Sequence, residues 1–285
     1  MNELANANKP AQDSIVSLPH GERWFVDGFS VLPVPGGIEV RLVDLTHAQA
    51  ALNVLRARGL PATWTHLFVR AAALGLKRAP EAHQMVAGYR RLRPAHVDIG
   101  LSVAGQTNFA PVLIIPAAEE RELPDLVAFM SQAVPATREK EKRDLEGMNR
   151  LGWIIPFGAV RRFILRMLGR SLWFRRKLIG TFQITCVSNI DFAIPLLFHS
   201  GTAMGVGRVT DRVMAVDGQP VVRPSVWLSM IFDHMTMDGR VCAAQLEATI
   251  RVLESDELLR EAQGDSGHLA LPAVAPVTAT NRESA

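Results

Sequence analysis

Cysteine is almost missing from this chain: Cys186 and Cys242 are the only two in 285 residues. Two thiols make neither a disulfide framework nor a zinc cluster, so a reducing, cytoplasmic setting is expected and no metal site. No stretch reaches the roughly 18 consecutive apolar residues that a membrane span needs. The start, MNELANANKPAQDSIVS, lacks the basic opening and apolar run of a signal peptide. Net charge is also small: 31 Lys and Arg against 28 Asp and Glu leave +3, too little to argue for a nucleic-acid partner. There is no internal repeat. What the chain does have is apolar residue, at 48% with 21% charged. That supports a sizeable core, in one large domain or two small ones.

Residues 1–20 are polar and unpatterned, and residues 263–285 are rich in Ala, Pro, Ser and Thr. Both are expected to be flexible tails around one domain at 21–262. Within it, helices and strands alternate. Ile38–Leu45 alternates apolar and polar residues as a half-buried strand does. Thr46 then suits an N-cap, and Ala48 to Arg58 carries helical periodicity. Thr63 or Thr65 would cap the nearly all-apolar HLFVRAAALGLKRA, a buried helix. RLRPAHVDIGLSVAG and FAPVLIIPAA read as strands broken by turns. ELPDLVAFMSQAVPATREKEKRDLE reads as an amphipathic helix that Pro135 should kink or divide. GTFQITCVSN is a strand, and Asp217-Gly218 marks the turn of a long closing hairpin. This mixture means α/β, in the form of an α+β two-layer sandwich.

Residues 150–180 contain no acid and eight bases: Arg150, Arg161, Arg162, Arg166, Arg170, Arg175, Arg176 and Lys177. On a helical wheel Val160, Phe163, Ile164, Met167 and Leu168 share one face, and Arg161, Arg162 and Arg166 take the other. Trp153 and Trp173 flank the pattern. Two readings stay open. The stripe packs on the domain with its arginines in water, or this basic element meets a membrane surface, an acidic carrier or an acyl chain.

The chemistry gathers in MIFDHMTMDGRVCAAQLEATI, where a strand becomes a helix. A histidine at such a turn, His234, can bond through one ring nitrogen and use the other as a general base. Asp238 can cap the helix, complement its dipole or pair with an arginine, and Gly239 permits close backbone approach. By itself His-x-x-x-Asp-Gly is weak, since polar residues are common at such turns.

FDHMTMDG resembles the active-site motif of chloramphenicol acetyltransferase and, more closely, of the catalytic domains of dihydrolipoyl acyltransferases, the core subunits of 2-oxoacid dehydrogenase complexes. GTFQITCVSN is similar to that family's Gly-Thr-Phe-Thr-Ile-Ser strand. GVGRVTDRVMAVDGQPVVRPSVWLSMIFDH is similar to its closing hairpin and last strand. EVRLVDLTHAQAALNVLRARGLPATWTHLFVRAAALGLKRAPEAHQMV and HVDIGLSV resemble its opening elements. The resemblance covers about residues 36–140 and 178–258 in the expected order.

It implies a chloramphenicol acetyltransferase-like mixed sheet with helices on one face. It implies an acyltransferase whose acyl group passes from a coenzyme A or carrier-protein thioester to a thiol, hydroxyl or amine in a ternary complex. His234 would take the acceptor's proton; a free thiol, with a pKa of about 8.5, is mostly protonated at neutral pH without help. Thr185 would hydrogen-bond the oxyanion, and Asp238 would orient the loop through an ion pair. No covalent cofactor or acyl-enzyme is implied, and a thiol nucleophile at Cys186 is set aside because free cysteines are mostly buried small hydrophobes. A homotrimer is implied, with His234 and Thr185 meeting across subunits. Which residues hold coenzyme A stays open.

Three departures stand out. No lipoyl or subunit-binding domain fits in 1–35, so a stand-alone form is expected. TNFAPVLII, with Phe109 and Ala110, replaces the family's Gly-Leu-x-x-Pro-Val. The segment 150–180 lengthens the approach to Thr185's strand and could cover the channel mouth. The alternative function is a catalytically silent core or assembly subunit, or a membrane-associated relative.

Overall fold

The computed structural model describes residues 12–19, 36–105, 110–154, 157–197 and 200–265. Phe109 and the stretch 266–285 lie outside the described residues, as do the side chains of Arg150, Trp153 and Arg161.

The longest strand organises the molecule. Strand β10 (Gln219–Asp233) pairs with β2 (Gly36–Asp44) on one side and with β8 (Thr202–Val206) on the other. Beyond β8 follow β7 (Phe182–Cys186), β5 (Ile99–Ser102) and β6 (Val112–Ile115). Strands β5, β7 and β8 run parallel and the outer pairs antiparallel. Strand β9 (Thr210–Val216) folds back on the first half of β10. Their turn has positive φ at both Asp217 (50°) and Gly218 (77°), the backbone that matches strand twist in a two-residue hairpin. A separate small sheet joins β1 (Ser14–Ser17), β4 (Arg90–Arg93) and β3 (Met85–Ala87). So part of the expected N-terminal tail is a paired strand, held by main-chain bonds although its four side chains are exposed.

Period-two alternation decides which face is covered. Val226, Leu228, Met230 and Phe232 of β10 are buried in the main core with Phe182, Ile184, Ile99 and Leu101. On that face lie the helices α1 (Thr46–Ala57), α2 (Trp64–Arg78), α3 (Leu123–Ile154), α6 (Gly239–Leu253) and α7 (Glu257–Gln263). Two shorter helices, α4 (Gly158–Gly169) and α5 (Leu172–Ile179), lead into β7. Helix α2 is buried from His66 to Leu76, as its composition predicts, with Thr63 at the N-cap and the Thr63 amide donating to His66 Nδ1 at 3.0 Å. Thr46 is not a cap: Leu45 occupies that position, and Asp44 Oδ1 accepts from the Thr46 amide (2.8 Å) and hydroxyl (2.6 Å). Pro135 does not divide α3, which runs on through it.

A buried ion pair ties the helices together. Arg70 on α2 meets Glu261 on α7 with Nη2 at 2.7 Å and Nε at 2.9 Å from its carboxylate. Arg70 Nη1 also reaches the carbonyls of Ala118 and Glu119, and Glu261 Oε2 accepts the Leu123 amide at 3.1 Å.

A second polar knot fastens the start of β7. Thr181 Oγ1 lies 2.8 Å from His83 Nε2 and accepts the Asp98 amide at 3.0 Å, while Arg176 Nε donates to Asp98 at 2.7 Å. Burial lowers the His83 pKa to about 4; the Asp98 charge opposes this and Arg176 adds to it. An unfolded histidine takes up its proton near pH 6.5. Between the two values the unfolded chain holds the extra proton, so this contribution to stability is whole above pH 6.5 and is lost as pH falls to about 4. The loss is about 3 kcal/mol. Chemical denaturation at stepped pH should show a steeper decline for wild type than for His83→Gln over that interval. Equal slopes would remove His83 as the cause.

Candidate active site

Strand β10 ends at Asp233, and His234 begins a tight turn into α6. The turn is fixed from inside: the Thr236 and Met237 amides return to the Asp233 carbonyl at 2.8 and 3.1 Å, and the Met235 amide binds Asp233 Oδ1 at 2.9 Å. Gln84 Nε2 secures the Thr236 carbonyl from outside at 3.0 Å. The His234 ring is half-buried and stands edge-on to Phe232, with centroids 4.7 Å apart and planes at 74°. A packed ring at a rigid turn is held in one orientation while part of it stays accessible, as a proton-transfer group requires.

Asp238 is the N-cap of α6: its carboxylate accepts the Val241 amide at 2.9 Å. The ion pair expected of it is only a 4.0 Å approach to Arg240 of the same chain, with both side chains exposed. Gly239 sits where an added Cβ would touch Glu39 and Phe232 at 3.4–3.5 Å, in ordinary contact.

Thr185 lies on β7, half-buried, on the sheet face opposite the main helices. Its hydroxyl donates to Ser102 Oγ on β5 at 3.2 Å. The same face carries Ser229, whose hydroxyl donates to the Ala193 carbonyl at 2.5 Å. The segment 187–197 crosses β8 here because Gly205 and Gly207 leave room; a Cβ on Gly205 would lie 2.2 Å from the Ala193 carbonyl oxygen. Its outer side exposes Ile190, Phe192, Ile194 and Leu196, and the β2 edge exposes Ile38 and Val40.

The sheet register keeps the two expected catalytic residues apart within one chain. Thr185 aligns with Gly205, and Gly205 with Ser229. His234 is five residues past Ser229, which at strand rise is about 16 Å along the sheet, with two strand spacings of about 4.8 Å each across it.

Two neighbours of the candidate residues have no sequence signature. Arg175 reaches back from α5: its Nη1 donates to the Val86 carbonyl at 2.7 Å and its Nε to the Gly169 carbonyl. Burial raises the Asp233 pKa, and the charges of Arg175 and His234 pull it down. The basic segment thus supplies a counter-charge beside the histidine turn. Ser102 is the second, a hydroxyl neighbour of Thr185 that only the parallel pairing of β5 and β7 reveals.

Burial pushes the Cys186 thiol up to about 12, against a hydrogen bond from Thr65, so it is a poor nucleophile at neutral pH. His96, Glu119 and Glu120 bring their donor atoms within 4.8 Å of one another. Glu119 is already engaged by the Val97 amide at 2.9 Å and by His96 Nδ1 at 3.1 Å, which accounts for the approach without an ion. A groove of about 510 Å³ runs between β2 and α6, lined by Glu39, Arg41, Arg240, Glu247 and Arg251, and begins two residues beyond Asp238.

Residues 179–260 match the family model of the 2-oxoacid dehydrogenases acyltransferase catalytic domain. The dihydrolipoyllysine-residue succinyltransferase component of the 2-oxoglutarate dehydrogenase complex of Pseudomonas aeruginosa is 25% identical over 216 residues, covering 75% of this chain and 45% of that protein. The chain thus spans about half the length of that relative. Among solved structures, a probable dihydrolipoamide acetyltransferase of Listeria monocytogenes superimposes with a TM-score of 0.61 at 18% identity, over 85% of this chain and 94% of the other. The dihydrolipoamide acetyltransferase of Azotobacter vinelandii gives 0.60 at 19%, over 84% and 88%. The fold is that of these acyltransferases, and the family resemblance carried by GTFQIT and FDHMTMDG is borne out.

Proposed function

We propose that this chain, whose residues 179–260 match the 2-oxoacid dehydrogenase acyltransferase catalytic domain, is itself an acyltransferase. It moves an acyl group from a coenzyme A or carrier thioester to a thiol, hydroxyl or amine. His234 removes the acceptor's proton as the acceptor atom attacks the thioester carbonyl. The carbonyl oxygen gains negative charge and accepts the Thr185 hydroxyl bond, worth about 10²–10³ in rate for donors of this kind. Collapse of the tetrahedral intermediate breaks the carbon–sulfur bond, and His234 returns its proton to the departing thiolate. Asp238 acts by fixing the helix start that sets the histidine turn.

The observation that carries this reading is the separation of His234 from Thr185 within one chain, together with an exposed apolar row at the sheet face beside Thr185. Both support a site closed by a second copy, as in a ring that builds sites between protomers. The resemblance supports a homotrimer, and the exposed Ile190, Phe192, Ile194 and Leu196 offer apolar surface for it.

Mixed assemblies test the arrangement. Thr185→Ala alone should lower acyl transfer from acetyl-coenzyme A to dihydrolipoamide by about 10²–10³. Refolding it together with His234→Ala should restore part of the activity, because some sites then pair an intact histidine with an intact threonine. A mixture no more active than its components would refute a shared site. Full activity in both single variants would favour an assembly role with no chemistry at these residues.

A further inference from the structure

Helix α4 carries its apolar stripe into solvent. Phe163 is 64% exposed, Met167 48%, Val160 45%, and Ile164 and Leu168 more than a third each. The first of the two readings open in the sequence, a stripe packed on the domain, is therefore not what the fold does. Its platform is firm by contrast. Helix α5 buries Leu172 with Met85, Ala87 and Leu92, buries Ile179, and is bolted down through Arg175 to Val86 and through Arg176 to Asp98 and Asp13.

We infer that α4 and the adjoining Trp173 dock on the surface of an anionic lipid bilayer. Charge complementarity selects this occupant. Between Glu146 and Asp191 the chain has no acidic residue and eight basic ones. At 100° per residue Arg162 and Arg166 lie opposite the stripe and Arg170 at its margin, so their guanidinium groups reach the phosphate layer while the stripe enters the acyl boundary. Phe157, just before the helix, is 71% exposed, and Trp173, just after it, is 70% exposed with Lys177 Nζ 5.1 Å from its ring centre. An aromatic ring beside a cation suits the interface between headgroups and chains. No described helix is long and apolar enough to cross a membrane, so the mode is lying on the surface. An acidic carrier protein would match the arginines but would leave the apolar stripe unexplained.

The test is co-sedimentation of the full chain with vesicles of phosphatidylcholine alone and of phosphatidylcholine with phosphatidylglycerol. Binding to the anionic vesicles should exceed binding to the neutral ones about a hundredfold, from three exposed arginines in the surface field, and should weaken with added salt. The double variant Phe163→Glu/Met167→Glu changes only exposed side chains; it should keep its far-ultraviolet circular dichroism and lose vesicle binding at least tenfold. Val213→Glu, at an exposed apolar site on β9, should bind as wild type does. Failure of wild type to sediment with either vesicle would overturn the inference. So would equal binding by the double variant, or a fall in its assembly mass without lipid, which would make a second copy the occupant. Acyl transfer by soluble substrates is independent of these outcomes.

Discussion

His234→Ala should reduce acyl transfer by about 10²–10⁴ while leaving the fold in place. The side chain is half-buried at a turn whose hydrogen bonds are made by Asp233, Gln84 and main-chain amides, none of which the substitution removes. The substitution gives up the edge contact with Phe232, itself held in the main core. A general base can be told from a binding group by its dependence on the acceptor. With a thiol acceptor the variant's rate should climb with pH until the thiol ionises, because a pre-formed thiolate needs no base. A series of thiols of falling pKa should close the gap to wild type. A purified, folded variant that matches wild type, or one equally impaired with every thiol, would show that His234 does not carry the proton.

Local features are legible in the sequence, and long-range ones are not. The β9–β10 hairpin could be read because both signals sit within a few residues: an Asp-Gly pair with positive φ and alternation on either side. Helix α2 was legible because a helix apolar all round has nowhere to go but the interior. Strand β1 was not, since four exposed residues carry no periodic signal and are held only by pairing with β4. Helix α3 passes Pro135 because one missing amide removes one bond, to the Ser131 carbonyl, while the rest of a long helix persists. Periodicity places the stripe on one face of α4 but does not say what lies against that face. At the site, His234, Thr185 and Asp238 came from motif position. Only topology brings Arg175 near Asp233 and Ser102 against Thr185, because nothing in their sequence spacing marks either neighbour.

The largest stability change expected from a single substitution lies away from the chemistry, at the Arg70–Glu261 pair. Glu261→Ala should destabilise the protein by about 3–5 kcal/mol, since it strands a buried guanidinium. The surroundings explain why relief is poor. Arg70 is 6% exposed and would keep only the Ala118 and Glu119 carbonyls as partners, and the Leu123 amide at the start of α3 would lose its acceptor. The double substitution Arg70→Met/Glu261→Leu should recover most of the loss, because replacing both charges removes the desolvation cost along with the attraction. Urea unfolding at one fixed protein concentration would measure all three, with the midpoint moving and the slope unchanged. If the double variant were as unstable as the single one, the loss would stem from packing at α7 and not from an orphaned charge. If Glu261→Ala unfolded like wild type, the pair would not be what holds α2, α3 and α7 together beneath the sheet.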